Sequence, residues 1–539
     1  MRTLPEALDA AARSRDGFTF IADGRETITS YAQLQQRAFG VAGALADAGV
    51  RRGDLVALAI PGAEPFLTTL LGAAMAGAVP ASLYPPSAGG NLSDYFRLTA
   101  GILQAVGARA VVTSAALLSG FGAVREECPG LALVLSSDDL DAPREPDFRP
   151  SLDDIAFVQF TSGSTSAPRG VTVSHRNLCA NIDAINGALG TSGADSAVSW
   201  LPLAHDMGLV GMALGPLYAA RPAVLMMPQA FVRRPAEWLH AISRHRATVS
   251  FAPNFAYDLA ARRVKDRDLD GIDLSCWRVA GCGAEPIHAS SLAAFARRFE
   301  AVGFRASSFL PCYGLAEHVL AATFPPRGRE ARVDDAGAGA VVSCGRPLPD
   351  HQIRIVTESG EPAAEGEVGE IALAGPSVMR GYYGDPAATA QAIRDGWLYT
   401  GDLGYLSDGE LFVCGRARDL IIVNGRKYHP QDLESAVCEA TGIGRGRVVA
   451  FGSSTGASAE RVIIVVEGSG AAQPDALRLP IRRRIGDLFG LYVDEIVFAP
   501  AGTIRRTTSG KVRRGATRAA YERGDLGGGR AASPQCSMP

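Results

Sequence analysis

Apolar positions along this chain keep two spacings in turn. Residues 31–48 place them at helical intervals, residues 55–60 form an unbroken apolar run of strand length, and residues 66–77 return to the helical interval. Residues 78–83, 110–113, 131–135 and 155–160 give further short apolar runs, each predicting a buried strand. Such alternation predicts an α/β fold, with parallel sheets covered by helices on both faces. No repeat of fixed period is visible. Residues 325–340, rich in Pro, Gly and charge and without periodicity, predict a loop.

Residues 66–93 carry no charge, which raises the question of a membrane span. Pro80, Pro85 and Pro86, with Gly72, Gly77, Gly89 and Gly90, fit a buried helix leading into a short strand better. The N-terminal Met1-Arg-Thr-Leu-Pro-Glu-Ala-Leu-Asp9 has acidic residues where a signal peptide needs its apolar segment. A chain of 539 residues exceeds one hydrophobic core, so roughly two to four structural units are expected. The clearest boundary follows Leu411-Phe-Val-Cys-Gly415, where the charged link Arg416-Ala-Arg-Asp419 precedes Leu420-Ile-Ile-Val423. The expected division is therefore 1–415, a small unit 416–524, and a Gly-, Ser- and Pro-rich tail 525–539 that reads as disordered. Apolar residues make up 47% and charged ones 20%, the balance of a soluble globular protein. The net charge of −3 argues against a nucleic-acid partner and against a basic membrane surface. Nine cysteines, scattered and without a C-x-x-C pair, argue against a disulfide framework or a zinc site and for a reducing cytoplasm.

The segment Thr161-Ser-Gly-Ser-Thr-Ser-Ala-Pro-Arg-Gly170 follows directly on the apolar run 155–160. Small side chains let backbone N–H groups approach an anion, and hydroxyls add donors, so the loop suits a polyphosphate. No Gly-Lys-Ser/Thr closes it at Walker spacing. Taken alone, the segment also fits an exposed Ser/Gly turn. Four more segments change that balance: Gly283-Ala-Glu-Pro286, Tyr313-Gly-Leu-Ala-Glu317, Tyr399-Thr-Gly-Asp402 with Gly415-Arg416, and Thr507-Thr-Ser-Gly-Lys511.

In this order and spacing the chain resembles the ANL adenylate-forming superfamily over about residues 5–520. Ser199-Trp-Leu-Pro-Leu-Ala-His-Asp-Met-Gly208, Ala252-Pro-Asn-Phe-Ala256, Leu83-Tyr-Pro-Pro86 and Gly425-Arg-Lys-Tyr-His-Pro-Gln-Asp-Leu-Glu434 resemble its fatty acyl-AMP ligase and acyl-CoA synthetase branch. The resemblance implies a large N-terminal domain of two α/β subdomains plus a β-rich portion, followed by a small mobile α+β lid. It also implies the reaction. A carboxylate attacks the α-phosphate of ATP to give an acyl-adenylate, and a thiol then displaces AMP. Two anions must meet, so the site needs neutralising charge and oriented donors.

By the same resemblance, ATP or AMP would contact Thr161, Ser162, Gly163, Ser164, Thr165, Arg169, Gly283, Ala284, Glu285, Tyr313, Gly314, Asp402 and Arg416. Tyr313 would pack on adenine, Asp402 would accept from the ribose hydroxyls, and Glu317 would hold Mg²⁺, a hard cation that prefers oxygen ligands. Lys511 is the implied catalytic cation, and His205 would lie beside the reacting carboxyl. Gly208, Gly211 and Met212, with Gly215, would leave room for an apolar acid if they lie on a helix, although close helix packing demands the same residues. Gly425 would border the thiol tunnel, and Arg418 occupies the hinge position. No aspartate stands in the pattern for gripping an α-amino group, which favours a fatty or bulky apolar acid over an amino acid.

Two departures from the family pattern bear on the product. Ser166-Ala-Pro-Arg169 replaces the usual Gly-x-Pro-Lys, keeping a positive charge in planar form. Only residues 318–342 separate Glu317 from Ser343-Cys-Gly-Arg-Pro347, too few for the extra segment with which fatty acyl-AMP ligases restrain the lid. The expected activity is thus an acyl-CoA synthetase using ATP, Mg²⁺ and CoA. Loading of an acyl carrier protein through its phosphopantetheine, and thioesterification of preformed acyl-AMP, are the alternatives.

Overall fold

The computed structural model describes residues 1–86, 91–142, 144–146, 148–161, 168–334, 340–423, 426–453, 461–468, 474–506 and 512–526. They divide into two compact units, the first ending at Val413 and the second beginning at Cys414.

The first unit is built on two seven-stranded sheets. One runs in the order Gly381–Tyr382, Gly170–Ser174, Ile155–Phe160, Val79–Ser82, Leu55–Ala59, Ala110–Thr113, Leu133–Ser136. Its last five strands are parallel. Gly170–Ser174 runs antiparallel to both of its neighbours. The purely parallel sheet expected from the sequence fails here for a local reason: a short loop joining adjacent strands makes a hairpin, and hairpins are antiparallel. Period-two alternation explains the apolar runs. Val56, Leu58 and Ala110 pack into one core, whereas Leu55, Ala57 and Val111 pack into another on the opposite face. With both faces covered, neither set can be polar.

The helix Tyr31–Asp47 opens with a capping box, in which the Ser30 hydroxyl accepts from the Gln33 N–H and the Gln33 side-chain Oε1 accepts from the Ser30 N–H. It packs on Ala63–Met75, which starts three residues before the apolar run suggested, because Pro65 is tolerated in a first helical turn. That helix is buried from Phe66 through Met75. No helix among the described residues is long and apolar enough to cross a membrane.

The second sheet runs Phe309–Pro311, Val279–Cys282, Val249–Ala252, Ala197–Ser199, Ala223–Met226, Gly17–Ala22, Arg25–Ser30, and only the last strand is antiparallel. Trp238, Trp277, Tyr257 and Phe295 pack beneath it, mostly edge to face. A five-stranded β-rich portion includes Gln352–Val356, Gly369–Ala374 and Trp397–Ser407. Within the expected loop at 325–340, Val333–Asp334 pairs with Val341–Val342.

The second unit is α+β. Its sheet of Val448–Ser453, Arg461–Glu467 and Glu495–Ala499 carries helices Pro430–Thr441 and Pro474–Phe489 on one face. Helix Arg514–Arg523 covers the other face, through Ala520 and Tyr521 against Phe451 and Val465.

His318, beside Glu317, makes the fold pH-sensitive. It is 1% exposed, its Nδ1 lies 3.0 Å from the Ala321 carbonyl oxygen, and its Nε2 has no hydrogen-bond partner among the described residues. Burial, reinforced by neighbouring His351, pushes its pKa down to about 3. As pH falls below 6.5 the unfolded chain takes up a proton that the folded chain refuses, so stability declines, by about 2 kcal/mol at pH 5 from this residue. Urea denaturation at pH 7 and pH 5 should show His318→Asn losing less stability than wild type over that interval. Equal losses would remove His318 as the cause.

Candidate active site

The segment singled out as a phosphate loop is the connection of a β-hairpin. Phe160 pairs with Gly170, and the Thr161 N–H continues the ladder by donating to the Arg169 carbonyl at 3.0 Å. Thr161 and Arg169 therefore face each other at the loop's base. Ser162, Gly163, Ser164 and Thr165 lie outside the described residues.

From that base the Arg169 guanidinium lies 5.1 Å from the centre of the Tyr382 ring, and the Tyr382 hydroxyl donates to Glu317 Oε1 at 2.9 Å. Burial raises the Tyr382 pKa, and the Glu317 charge raises it further, so the phenol stays a neutral donor. The Glu317 carbonyl accepts from the Met379 N–H at 2.9 Å, fixing the same strand edge. Tyr382 was missed from the sequence. Its only signal is the aromatic pair in Met379-Arg-Gly-Tyr-Tyr-Gly384, where Gly381 takes a φ of 140°.

A second pair stands on two other strands. The Tyr313 hydroxyl donates to Asp402 Oδ2 at 2.8 Å, with both residues buried. Asp402 is set by its own N–H, which donates to the Thr400 hydroxyl, and by the Gly401 N–H, which donates to Glu370. Gly283 follows the strand Val279–Cys282, and a Cβ there would meet Cys312 Sγ at 2.8 Å and its carbonyl oxygen at 2.9 Å. Ala284 takes a left-handed φ of 68°, unusual outside glycine and a local strain. Glu285 accepts from the Phe255 N–H at 2.6 Å and so also braces the helix Asn254–Arg263. Gly314 is required because the Leu320 carbonyl occupies its Cβ direction.

His205 Nδ1 lies 2.5 Å from Asp206 Oδ1, and the Met207 N–H points at both. Gln159, one residue before the end of its strand, donates to the Ala204 carbonyl at 2.6 Å and links this segment to the hairpin. Residues Met207–Leu214 form a π-helix, a form concentrated at functional sites. Its glycines only partly supply the space expected of them. The Pro202 carbonyl fills the Cβ direction of Gly208, so that glycine answers to backbone packing. Gly211 faces the Leu320 side chain at 3.0 Å, and Met212 is buried.

In the second unit, Arg416 ends the strand Glu410–Arg416, and Arg418 lies in the single turn Ala417–Asp419 with its Nε 4.0 Å from Asp419. Gly425 and Lys511 lie outside the described residues. No cluster of three or more His, Cys, Asp or Glu able to hold a metal occurs among the described residues.

Residues 8–383 match the AMP-binding enzyme family. The chain is 35% identical to a putative acyl-CoA synthetase of Caulobacter vibrioides (strain NA1000 / CB15N) over 97% of its own length and 96% of that protein. It is 32% identical to the medium-chain-fatty-acid acyl-carrier-protein ligase JamA of Moorena producens (strain JHB), over 95% and 93%. A solved structure from a study of fatty acyl-adenylate ligases of E. coli and L. pneumophila superposes with a TM-score of 0.91 at 37% identity, covering 97% of this chain and 98% of that one. The chain belongs to the AMP-binding enzyme family and is an ATP-dependent acyl-activating ligase with the adenylate-forming fold.

Proposed function

We propose that the protein is an acyl-CoA synthetase that activates a fatty or bulky apolar carboxylic acid as acyl-AMP and transfers the acyl group to CoA. The observation that carries the site assignment is the pair of linked groups in the first unit, Arg169–Tyr382–Glu317 and Tyr313–Asp402. Arg169 offers a cation at the base of the phosphate loop. Tyr313 and Asp402 offer an aromatic face and a carboxylate acceptor, the groups that adenine and ribose need. Glu317 is the residue to hold Mg²⁺, since this ion uses one or two carboxylates and completes its shell with phosphate oxygens and water. A lone carboxylate therefore fits it, although no metal cluster occurs among the described residues. His205, tied to the hairpin through Ala204 and Gln159, is the group assigned to the acyl carboxylate.

In the first half-reaction a carboxylate oxygen attacks the α-phosphorus and pyrophosphate leaves. In the second a thiolate attacks the acyl carbonyl and AMP leaves. Domain 416–524 is proposed as the mobile lid that serves both steps, turning about Arg418. The short interval 318–342 favours CoA, because a chain of this lineage without the restraining segment keeps its lid free. Carrier-protein loading is the second reading, supported by the likeness to JamA. Mass spectrometry of products from fatty, aryl and polycyclic acids with ATP, offered CoA or a phosphopantetheinylated carrier, decides between them. Acyl-CoA should dominate, and exclusive carrier loading would reverse the assignment.

Two substitutions probe the parts separately. Tyr382→Phe removes a donor to a charged acceptor, worth about tenfold or more in adenylation rate, and should raise the Mg²⁺ concentration needed for half-maximal rate. An unchanged Mg²⁺ dependence would detach Tyr382 from Glu317's role. Gly425→Leu should cut acyl-CoA formation by about tenfold or more while pyrophosphate exchange persists, since a side chain added to a narrow channel excludes the thiol arm. Full thioester yield would dismiss the tunnel.

A further inference from the structure

A cavity of about 220 Å³ opens at the strand ends of the first sheet remote from the phosphate loop. It is lined by Val79 and Ile155, the first residues of their strands, and by His175, which follows the antiparallel strand Gly170–Ser174. The loop leaves the other end of Ile155–Phe160, about 17 Å away at the rise of a β-strand. Nothing in the adenylation chemistry uses this end.

The cavity is built from ordered parts. Ala74, Ala78, Val79 and Ile155 give it an apolar wall. Phe148 closes one side, held by the Arg52 guanidinium 4.8 Å from its ring centre and by Gly77, where a Cβ would stand 3.0 Å from the ring. The acids at the rim are already paired. Asp153 takes Nε and Nη2 of Arg176, at 2.9 and 3.2 Å, and Asp154 takes the Ser151 N–H and hydroxyl and Arg52. Two donor groups keep capacity. Arg380 is exposed and spends one nitrogen on the Asp153 carbonyl at 2.7 Å. His175 is 1% exposed and its Nδ1 accepts from the Leu4 N–H at 3.1 Å.

That bond settles the tautomer. Burial keeps the ring neutral, with its pKa lowered to about 4, and a neutral imidazole that accepts at Nδ1 carries its proton on Nε2. This Nε2–H has no acceptor among the described residues. A donor on a cavity-lining residue with no protein acceptor is left to solvent, and a ligand oxygen can take that place.

We propose that this cavity is a second binding site, taking a small monocarboxylate with a compact apolar body. The carboxylate pairs with Arg380 and accepts from His175 Nε2–H, and the body rests between Phe148 and the Val79–Ile155 wall. A metal cation is disfavoured because both acids are saturated by arginine and backbone donors. Inorganic phosphate would leave the apolar wall unused. The volume exceeds the cavity of about 150 Å³ that encloses benzene, so a single-ring or short-chain acid fits.

The test uses the full chain labelled with ¹⁵N-histidine, the acyl cleft occupied by a non-hydrolysable acyl-adenylate analogue, and benzoate as probe. The His175 Nε2 signal, assigned by its loss in His175→Asn, should shift saturably. Arg380→Glu, a change at an exposed position, should weaken the response by about tenfold or more, the scale of losing a charge-assisted pair. A His175 signal that does not move up to about 20 mM benzoate, near the weak end of specific affinity, overturns the site. Equal affinity in Arg380→Glu does the same. Crystals grown with benzoate give an independent reading: density beside Phe148 and His175 supports the proposal, and density confined to the acyl cleft refutes it.

Discussion

Lys511→Ala lowers acid-dependent pyrophosphate exchange by on the order of 10² to 10³, the scale for losing a pre-positioned charge where two anions react. The reacting carboxylate and the α-phosphate both carry negative charge, and the pentacovalent arrangement gathers more of it on the phosphoryl oxygens. A point charge on a flexible stem can follow that build-up. Thiol transfer from supplied acyl-adenylate needs no such help and should survive. The neighbours of Lys511 sharpen the expectation. Arg505, Arg506, Arg513 and Arg514 suggest a solvated basic run in the sequence. In the structure Arg506 is spent on the Gly446 carbonyl at 2.5 Å, and Arg514 is buried among carboxylates. Two of those four cations thus serve the fold and are not spare to replace the lysine. Parallel loss of both half-reactions in Lys511→Ala would contradict the assignment.

What could be read in advance follows the range of the interactions. The strand Ile155–Phe160 and the helix Tyr31–Asp47 were legible because each satisfies local rules. An unbroken apolar run suits a strand covered on both faces, and apolar residues at helical spacing suit a helix packed on one face. The five motifs were legible as a set, and the family match over residues 8–383 spans the first three of them. Long-range contacts were not. Tyr382 reaches Glu317 across 65 positions, and no spacing rule connects an aromatic pair on an edge strand to a distant acid. The π-helix at Met207–Leu214 left no trace either, because its glycine-rich apolar run fits an α-helix equally well. Gly208 shows the limit most plainly: a missing side chain reads the same whether a substrate or the Pro202 carbonyl fills the space.

Arg514→Met should destabilise the second unit by about 3–5 kcal/mol at pH 7, the usual cost of leaving a buried carboxylate without its partner. Arg514 joins three distant places in that unit. Its Nη1 meets Asp419 at 2.9 Å, its Nη2 meets Glu434 at 2.8 Å, and its Nε donates to the Ala450 carbonyl at 3.0 Å. Glu434 is buried deeply enough that its pKa stays raised even beside the guanidinium. Without Arg514, burial of Glu434 is unopposed, and this acid favours protonation more strongly in the folded than in the unfolded chain. The folded variant then binds more protons, so its stability falls as pH rises, and lowering the pH from 7 toward 5.5 should recover part of the loss. Chemical denaturation at the two pH values reads this directly. A deficit that stays constant or grows on acidification would show that lost packing, not stranded charge, is the cause. The same variant should slow adenylation before it unfolds. Asp419 adjoins the proposed hinge residue Arg418. Arg514 also directly follows the base of the segment carrying Lys511, where Val512 bridges Arg506 and the Arg513 N–H donates to the Arg505 carbonyl at 2.8 Å. One guanidinium thus ties the hinge to the base of the lysine loop, so loosening it should cost exchange rate more than thiol transfer, as Lys511→Ala does, but by a smaller factor.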